Sequence, residues 1–390
     1  MKPSARVLVT LGGIPLFGQE RGNIEVFRAL QSKGVDSLFV TNDAYGHKAI
    51  QPALDRLELR WTEAPYPTRW GKIRRPSQIW TRFRQAASTT RAFARITRSY
   101  MPTHAHTMNE LYALILIPLF KALRIPVVYR VGDEPRQHHP IYRLIWRWLF
   151  APSVNQFVAI SEFIRGRLIE AGVPPAKVRV IYNFPPQRPA PPGGSDLPRE
   201  LTAPYPGRTV VYLGQIKIDK GVDLLVEAAE RLCRESNDVR FLLAGDYSYK
   251  NPFAERLVAH VEASGLADRI RFLGHVEDVT GLLALADVHV APSVWEEPLS
   301  NVVGEAKEAS VPSVVFPSGG LPELAVQHGL DAYVCPEKTV EALTKGLLHY
   351  VAMSAEELRT ASLAARHSLC HLGITPSAFA QAWADVYATS

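Results

Sequence analysis

Cysteine is scarce in this chain of 390 residues: Cys233, Cys335 and Cys370 lie far apart and form no CxxC pair. That argues against a disulfide framework or a cysteine-held zinc site, and a reducing compartment is expected. Long apolar runs are missing too. The longest uncharged one, Leu111 to Phe120, is about half of what a membrane span needs. Met1-Lys2-Pro3 leads at once into a strand-like Arg6–Thr10 stretch, so no signal peptide is expected and the location read from the sequence is cytoplasmic. Acidic residues are absent from Ala64 to Asn109.

What is present is ordinary for a soluble globular protein, 47% hydrophobic and 21% charged, which sets aside disordered and fibrous classes. The length is too great for one common core and predicts two domains. Charge divides unevenly between them. Residues 1–190 hold 28 Lys and Arg against 12 Asp and Glu, whereas residues 191–390 hold 16 against 26. One half is suited to meet something anionic and the other is not. At the same place the pattern breaks into Pro185-Pro-Gln-Arg-Pro-Ala-Pro-Pro-Gly-Gly-Ser195, followed by Pro198, Pro204 and Pro206. The reading is a first domain over 1–186, a Pro/Gly-rich linker over 187–207 and a second domain over 208–373.

Both halves alternate short apolar strands with amphipathic helices. In the second half the strands read as Thr209–Leu213, Phe241–Ala244, Ile270–Leu273, Val288–Ala291, Ser313–Phe316 and Tyr333–Cys335. Strands of this kind separated by helices predict parallel sheets covered on both faces. The fold class is therefore α/β, with two Rossmann-like, doubly wound domains facing a central cleft and ligands at the carboxyl ends of the strands.

Three stretches carry chemistry. The first is Pro292-Ser-Val-Trp-Glu-Glu-Pro-Leu-Ser-Asn-Val-Val-Gly-Glu305. A helix opening near Pro298 would place the amides of Leu299, Ser300 and Asn301 at its positive end, suited to a diphosphate. Glu305 would then reach ribose hydroxyls and Glu297 would face a sugar; both also fit as ordinary acidic residues near a helix start. The second is Leu213-Gly-Gln-Ile-Lys-Ile-Asp-Lys-Gly221, where a loop after a strand delivers Gln215, Lys217 and Lys220. The third, Pro317-Ser-Gly-Gly-Leu-Pro-Glu323, reads as a tight turn open to a ligand or as a tight turn alone.

Taken in order, with Phe272-Leu-Gly-His275 and Asp287–Ser293 between them, these stretches resemble the retaining GT-B glycosyltransferases of family 4. The likeness is dense over 209–335. It is looser in the first half, through Gly12-Gly13, Gln19-Glu20-Arg21, Ala159–Ile164 and Val178–Asn183. The resemblance implies transfer of a hexose-type sugar from a nucleotide-sugar donor to a glycan, lipid-linked or small-molecule acceptor, with retention, and no metal or other cofactor. It also implies that a C-terminal helix over about 374–390 returns to the first domain. Lys220 would neutralise the donor diphosphate, Glu305 bind ribose, Glu297 hold a donor-sugar hydroxyl, Gly274 and His275 frame the base, and Gly12 and Gly13 line the cleft. Gln215 stands where the family usually has arginine, with Lys217 as the substitute charge. Gly132 stands where it usually has a histidine near the sugar. Asp133, or one of His104 and His106, is then the candidate for that role, and Glu297, Asp133 and His106 form the catalytic set. The two histidines, spaced i, i+2, also fit a metal site or a structural edge. The alternatives are a nucleotide-sugar epimerase of similar fold and a non-catalytic docking protein.

The gap without acids contains Arg69, Lys72, Arg74, Arg75, Arg82, Arg84, Arg91, Arg95 and Arg98, interleaved with Trp70, Trp80 and Phe83. Cations with aromatic anchors suit an anionic membrane surface, here through residues 69–98. They also fit a solvated helix face. No recognition motif accompanies them, so nucleic acid is not an expected partner.

Overall fold

The structure is a computed structural model that describes residues 5–12, 18–45, 50–67, 77–136, 139–186, 194–203, 205–236, 238–246 and 251–389. Contacts divide the chain into two compact units, Met1–Phe184 with Thr375–Ser390, and Pro185–Ile374. Both are parallel α/β sheets flanked by helices, so the fold class read from strand and helix alternation holds.

Unit 1 contains β1 (Ala5–Leu11), β2 (Val35–Asn42), β3 (Trp61–Ala64), β4 (His104–Thr107), β5 (Val127–Val131), β6 (Gln156–Ala159) and β7 (Val178–Val180). They pair in the order β3-β2-β1-β4-β5-β6-β7, and every pairing is parallel. The order reverses between β1 and β4, the kind of place where open α/β sheets hold ligands. Its helices are α1 (Gly18–Gln31), α2 (Ile50–Arg56), α3 (Ser77–Tyr100), α4 (Glu110–Ala122), α5 (Pro140–Ile145), α6 (Ala151–Ser153) and α7 (Glu162–Glu170). Local chemistry starts them. The Asn109 side chain accepts from the Leu111 and Tyr112 amides ahead of α4, and Ser161 accepts from Ile164 ahead of α7. The last helix, Pro376–Thr389, belongs to this unit and packs on α1, burying Phe379, Trp383 and Tyr387. Each such ring removed from water stabilises the fold by about 1.5–3 kcal/mol.

Unit 2 contains β8 (Arg208–Leu213), β9 (Val239–Ala244), β10 (Ile270–Gly274), β11 (Val288–Ala291), β12 (Ser313–Val315) and β13 (Ala332–Val334), in the parallel order β10-β9-β8-β11-β12-β13. Its reversal falls between β8 and β11. Its helices are α8 (Arg199–Thr202), α9 (Val222–Glu235), α10 (Pro252–Ala263), α11 (Val279–Ala284), α12 (Asn301–Glu308), α13 (Val340–Val351) and α14 (Ala355–His371). Leu225, Ala228, Ala229 and Leu232 form the buried stripe of α9, the i, i+3, i+4, i+7 pattern of a half-buried helix.

The Pro/Gly-rich segment departs from a plain linker. Residues 187–193 and 204 lie outside the described residues, but Leu197 and Leu201 are buried in the core of unit 2, the second of them on α8. Two leucines four apart give that short turn one apolar face, and its burial outweighs the prolines around it.

Candidate functional site

In unit 2 two loops meet at the reversal of strand order. One leaves β8 at Gly214 and reaches Lys220 on a single 3-10 turn. The other leaves β11 and runs through Pro292–Ser300 to α12. Gly221, at φ 64°, ends the first loop, and a Cβ there would strike the Pro292 carbonyl of the second. The Asp219 carbonyl accepts from the amides of Val294, at 3.1 Å, and Trp295, at 3.0 Å. The loops are therefore tied by backbone before any side chain is considered.

Across this junction Lys220 Nζ is ion-paired with Glu297 Oε1, the side chains 25% and 15% exposed. Ser293 Oγ donates to the same Glu297 oxygen at 2.7 Å, and Ser318 Oγ donates to the Ser293 carbonyl. The Glu297 carbonyl in turn accepts from the Gly320 amide at 2.7 Å. Gly319, at φ 56°, has no room for a Cβ against the Glu297 backbone, so the Gly-Gly turn acts as a backstop for this glutamate. Residues outside the motifs complete the junction. Glu296 accepts from the Gly319 amide at 2.6 Å and pairs with Lys338 at 2.6 Å, and Lys338 also donates to the Val294 carbonyl at 3.0 Å. Nothing in the sequence marked Lys338, which lies 42 residues from its partner. Of the Glu296-Glu297 dipeptide, the sequence points to a role for Glu297 alone.

The helix after this loop begins later than its proline suggested. Its first residue is Asn301, with Ser300 at the cap (φ −90°, ψ 114°), and not Pro298. The backbone at Ser300 is still extended, which postpones the first helical turn, although its side chain makes no capping hydrogen bond. The outward amides are then those of the Asn301 turn. Leu299 is buried and serves packing. Glu305 lies just past the first turn and is 6% exposed. Two residues on, Lys307 is completely buried. Its ammonium donates to Asp331 Oδ2 at 2.6 Å and to Ser368 Oγ at 2.8 Å. The Asp331 carboxylate also accepts from the Gln327 and Val326 amides. Burial pulls the Lys307 pKa down and Asp331 pulls it back up. This buried pair clamps the helix that presents Glu305 to α14 and to the turn before β13.

Of three neighbouring strands, β10 ends in Gly274, while β9 and β8 run directly into Gly245 and Gly214. Gly245 donates its amide to the Gly274 carbonyl at 2.8 Å, and a Cβ on it would meet the Gly214 carbonyl. The result is a ledge of backbone without side chains, with His275 exposed beside it. Gly245 was not singled out in the sequence. Gln215 and Lys217 are both exposed, and the Lys217 ammonium donates to Gln215 Oε1 at 2.8 Å.

Unit 1 treats its candidates differently. His106 is fully buried, with Nδ1 2.6 Å from the Tyr387 hydroxyl and Nε2 2.8 Å from Asn23 Oδ1. Burial, helped by the nearby Arg130 charge, lowers its pKa to about 3. It is a neutral core histidine with both nitrogens engaged, which corrects its placement in the catalytic set. His104 is also buried, 2.9 Å from Thr103 Oγ1 and against the Tyr387 ring. Gly12 is buried beneath Tyr66 and Tyr112, whose rings occupy the space of any Cβ. Its carbonyl accepts from the Tyr112 hydroxyl at 2.8 Å and from Asn42 Nδ2 at 3.3 Å. Gly13 lies outside the described residues.

Asp133 is exposed just past the end of β5. Desolvation by the surrounding protein raises its carboxyl pKa, opposed by Arg130 and Arg136. Arg130 itself is buried, donating to Asn183 Oδ1 at 2.7 Å, and desolvation lowers its pKa to about 10. Among the described residues no group of three or more His, Cys, Asp or Glu is arranged to hold a metal ion.

Comparison with known proteins follows this division. A family model described as Glycosyltransferase Family 4 matches residues 18–184, and one described as Glycosyl transferases group 1 matches residues 207–352. The chain is 26% identical over 324 residues to the 2-deoxystreptamine glucosyltransferase of Streptomyces kanamyceticus, covering 76% of this chain and 80% of that one. It is 27% identical over 195 residues to spore coat protein SA of Bacillus subtilis, covering 47% and 51%. The chain spans about half the length of the first curated relatives it matches. The crystal structure of Anabaena HepE in complex with UDP and glucose superposes with a TM-score of 0.76 at 18% identity, covering 99% of this chain and all of that one.

Proposed function

Because the chain belongs to the glycosyl transferases of group 1 and family 4, on a GT-B fold, we propose that it moves a hexose-type sugar from a nucleotide-sugar to an acceptor hydroxyl, with retention and without a metal ion. The observation that carries this reading is the Lys220–Glu297 pair, held at the strand-order reversal of unit 2 by Ser293 and the Gly319-Gly320 turn. A cation and an acceptor oxygen side by side match a donor whose diphosphate needs neutralising and whose sugar hydroxyls need a partner. The glycine ledge at Gly214, Gly245 and Gly274 suits a flat base, the Asn301 amides a phosphate, and Glu305 a ribose.

In the proposed reaction the bond from the anomeric carbon to the diphosphate oxygen breaks and a bond to the acceptor oxygen forms on the same face. The acceptor proton passes to the departing phosphate oxygen, so no side-chain base is required. Lys220 and the helix amides stabilise the charge that develops on the leaving group, the part a divalent ion plays elsewhere. Asp133, exposed just past the end of β5, is the carboxylate we assign to orient an acceptor.

The acid-free face of unit 1 supports a cytoplasmic-side membrane contact. On α3, Ile79, Trp80 and Phe83 are exposed beside Arg82 and Arg84, and Ile141, Leu144 and Trp148 are exposed beside Arg143 and Arg147. Residues 69–76 of this stretch lie outside the described residues, and among those described no helix is long and apolar enough to cross a membrane.

The test is incubation with UDP-glucose, GDP-mannose and ADP-glucose in excess EDTA, followed by proton NMR. Release of the α-anomer first, lost about 100-fold in Lys220→Ala and Glu305→Ala, is the expected result. Release of the β-anomer first refutes retention, and an absolute need for a divalent ion refutes metal independence. Conversion of the intact donor to its epimer would establish the epimerase alternative.

A further inference from the structure

We propose that unit 1 carries a phosphate subsite for the acceptor, anchored by Arg84, in a cavity of about 390 Å³ beyond the carboxyl ends of β2 and β3. This rests on the transferase reading above and names the class of acceptor: a sugar or lipid bearing a phosphate.

One side of the cavity is formed by Ala44, Pro65 and Tyr66, which follow the two strands directly. Tyr66 is rigid there. Its hydroxyl donates to the Val40 carbonyl at 2.7 Å, and its ring is wedged between Gly12, Phe93 and Tyr112. The other side is a helix face: Thr81, Arg84, Gln85 and Ser88 stand at i, i+3, i+4 and i+7 on α3. The buried stripe of that helix, Thr89, Phe93, Thr97 and Tyr100, begins only after them. In the first three turns of α3, Thr81, Arg84 and Ser88 are exposed and Gln85 is half-buried.

Among the described residues the lining has one cation, Arg84, beside the polar side chains of Tyr66, Thr81, Gln85 and Ser88, and no carboxylate. Arg84 is exposed and forms no ion pair among the described residues, and α3 contains no acidic residue that would compensate it. A guanidinium without an ion pair among the described residues, lining a largely apolar cavity, is suited to a phosphate, which it can grip through two parallel hydrogen bonds. Gln85 and Ser88 are suited to sugar hydroxyls. Trp80, four residues before Arg84, is 71% exposed, and Phe83 beside it is 66% exposed. An apolar chain attached to the phosphate would find that surface one helical turn away.

The experiment is calorimetric titration of the full chain with glucose 6-phosphate, glucose and hexyl phosphate. Glucose 6-phosphate is expected to bind and glucose not, with the affinity falling about tenfold or more in Arg84→Gln and by an intermediate factor in Arg84→Lys, which keeps the charge but loses the two-pronged grip. Ser88→Phe, a change on an exposed helix face that fills the cavity, should abolish binding in a folded protein. Hexyl phosphate binding more tightly than glucose 6-phosphate, with the gain lost in Trp80→Ala, identifies a lipid-carried phosphate; equal affinity identifies a soluble sugar phosphate. Absence of glucose 6-phosphate binding, or equal binding to wild type and Arg84→Gln, overturns the inference. Titration of the wild type with UDP, GDP and ADP tests the transferase reading separately, so failure of one is distinguishable from failure of the other.

Discussion

Replacing Glu297 by Gln should tighten the binding of a free nucleoside diphosphate while slowing sugar transfer. The reason is that Glu297 and a donor diphosphate compete for the same cation. Without ligand, Lys220 is paired with Glu297, and a phosphate must draw it away. Two unit charges about 4 Å apart attract by roughly 4 kcal/mol at an effective dielectric near 20, before desolvation and side-chain ordering are subtracted. Exposed pairs keep less than about 1 kcal/mol of this, while breaking a fully buried pair costs about 3–5 kcal/mol. With side chains 25% and 15% exposed, this pair falls between, at about 1–2 kcal/mol.

Removing that cost corresponds to roughly 5- to 30-fold tighter binding. The variant keeps its geometry, because the Gln carbonyl can still accept from Ser293 Oγ, 2.7 Å away in the wild type. Turnover should nevertheless fall by about 100-fold, since a sugar hydroxyl loses a charged partner. Calorimetry with UDP, GDP and ADP gives the affinity, and release of nucleoside diphosphate from the preferred donor gives the rate. Lys220→Met is the control and should weaken nucleotide binding. In the double variant the two effects should fail to add, as touching residues do. If Glu297→Gln binds every nucleotide more weakly than wild type while remaining folded, the competition argument is wrong.

Other outcomes follow from the same structure. Lys307→Met should destabilise the chain by about 3–5 kcal/mol, because it strands Asp331 as a buried charge, and a second change of Asp331→Asn should restore part of the loss; chemical denaturation measures both. Stability should also fall as pH drops below about 6.5. His106 and His289 are buried with pKa values lowered to about 3, so between about 6.5 and 3 the unfolded chain takes up protons that the folded chain refuses. At pH 5 this amounts to up to about 2 kcal/mol for each histidine, and a variant such as His289→Asn should show a flatter dependence of melting temperature on pH. Vesicles containing anionic lipid should sediment the protein at low salt and release it at high salt. Changing Arg74, Arg75, Arg82 and Arg84 to Gln should weaken this sharply, since each cation near such a surface contributes on the order of 1 kcal/mol. Equal, negligible binding to neutral and anionic vesicles would leave that face merely solvated.

The fold was legible because its signal is local. Runs such as Val210–Leu213, and Val288–Ala291 apart from His289, are apolar and buried throughout, as strands covered on both faces must be, and the helices between them show their own period. The unit 2 site was legible in part for a similar reason. Lys220 and Glu297 each fall just beyond the end of a strand, where a parallel sheet delivers its loops, so position along the chain already implied neighbourhood. Their direct pairing was not implied, nor was the brace from Lys338 and Glu296. Helix start was misjudged at Pro298 because a proline is compatible both with a first helical turn and with the extended loop before it. The backbone stays extended through Ser300, and the helix begins only at Asn301.

His106 shows where such reasoning fails. Its neighbours in sequence, Ala105 and Thr107, are equally consistent with a histidine at a strand end facing a ligand and with one facing the core. The decision is made by Tyr387, 281 residues away, whose hydroxyl takes Nδ1, and by Asn23, 83 residues away, which takes Nε2. Both partners are themselves buried, so the imidazole exchanges water for two hydrogen bonds and remains neutral. No spacing rule reaches that far. A lysine or glutamate in the same position would have been a better guide, since burying a charge costs enough that such residues stay inside only with a partner or a function. Histidine can shed its charge at little cost, and that chemical ease makes it both a good catalyst and an unremarked core residue. Lys307 supports the contrast: it is fully buried and therefore had to be paired, and its partner Asp331 clamps the very helix that presents Glu305.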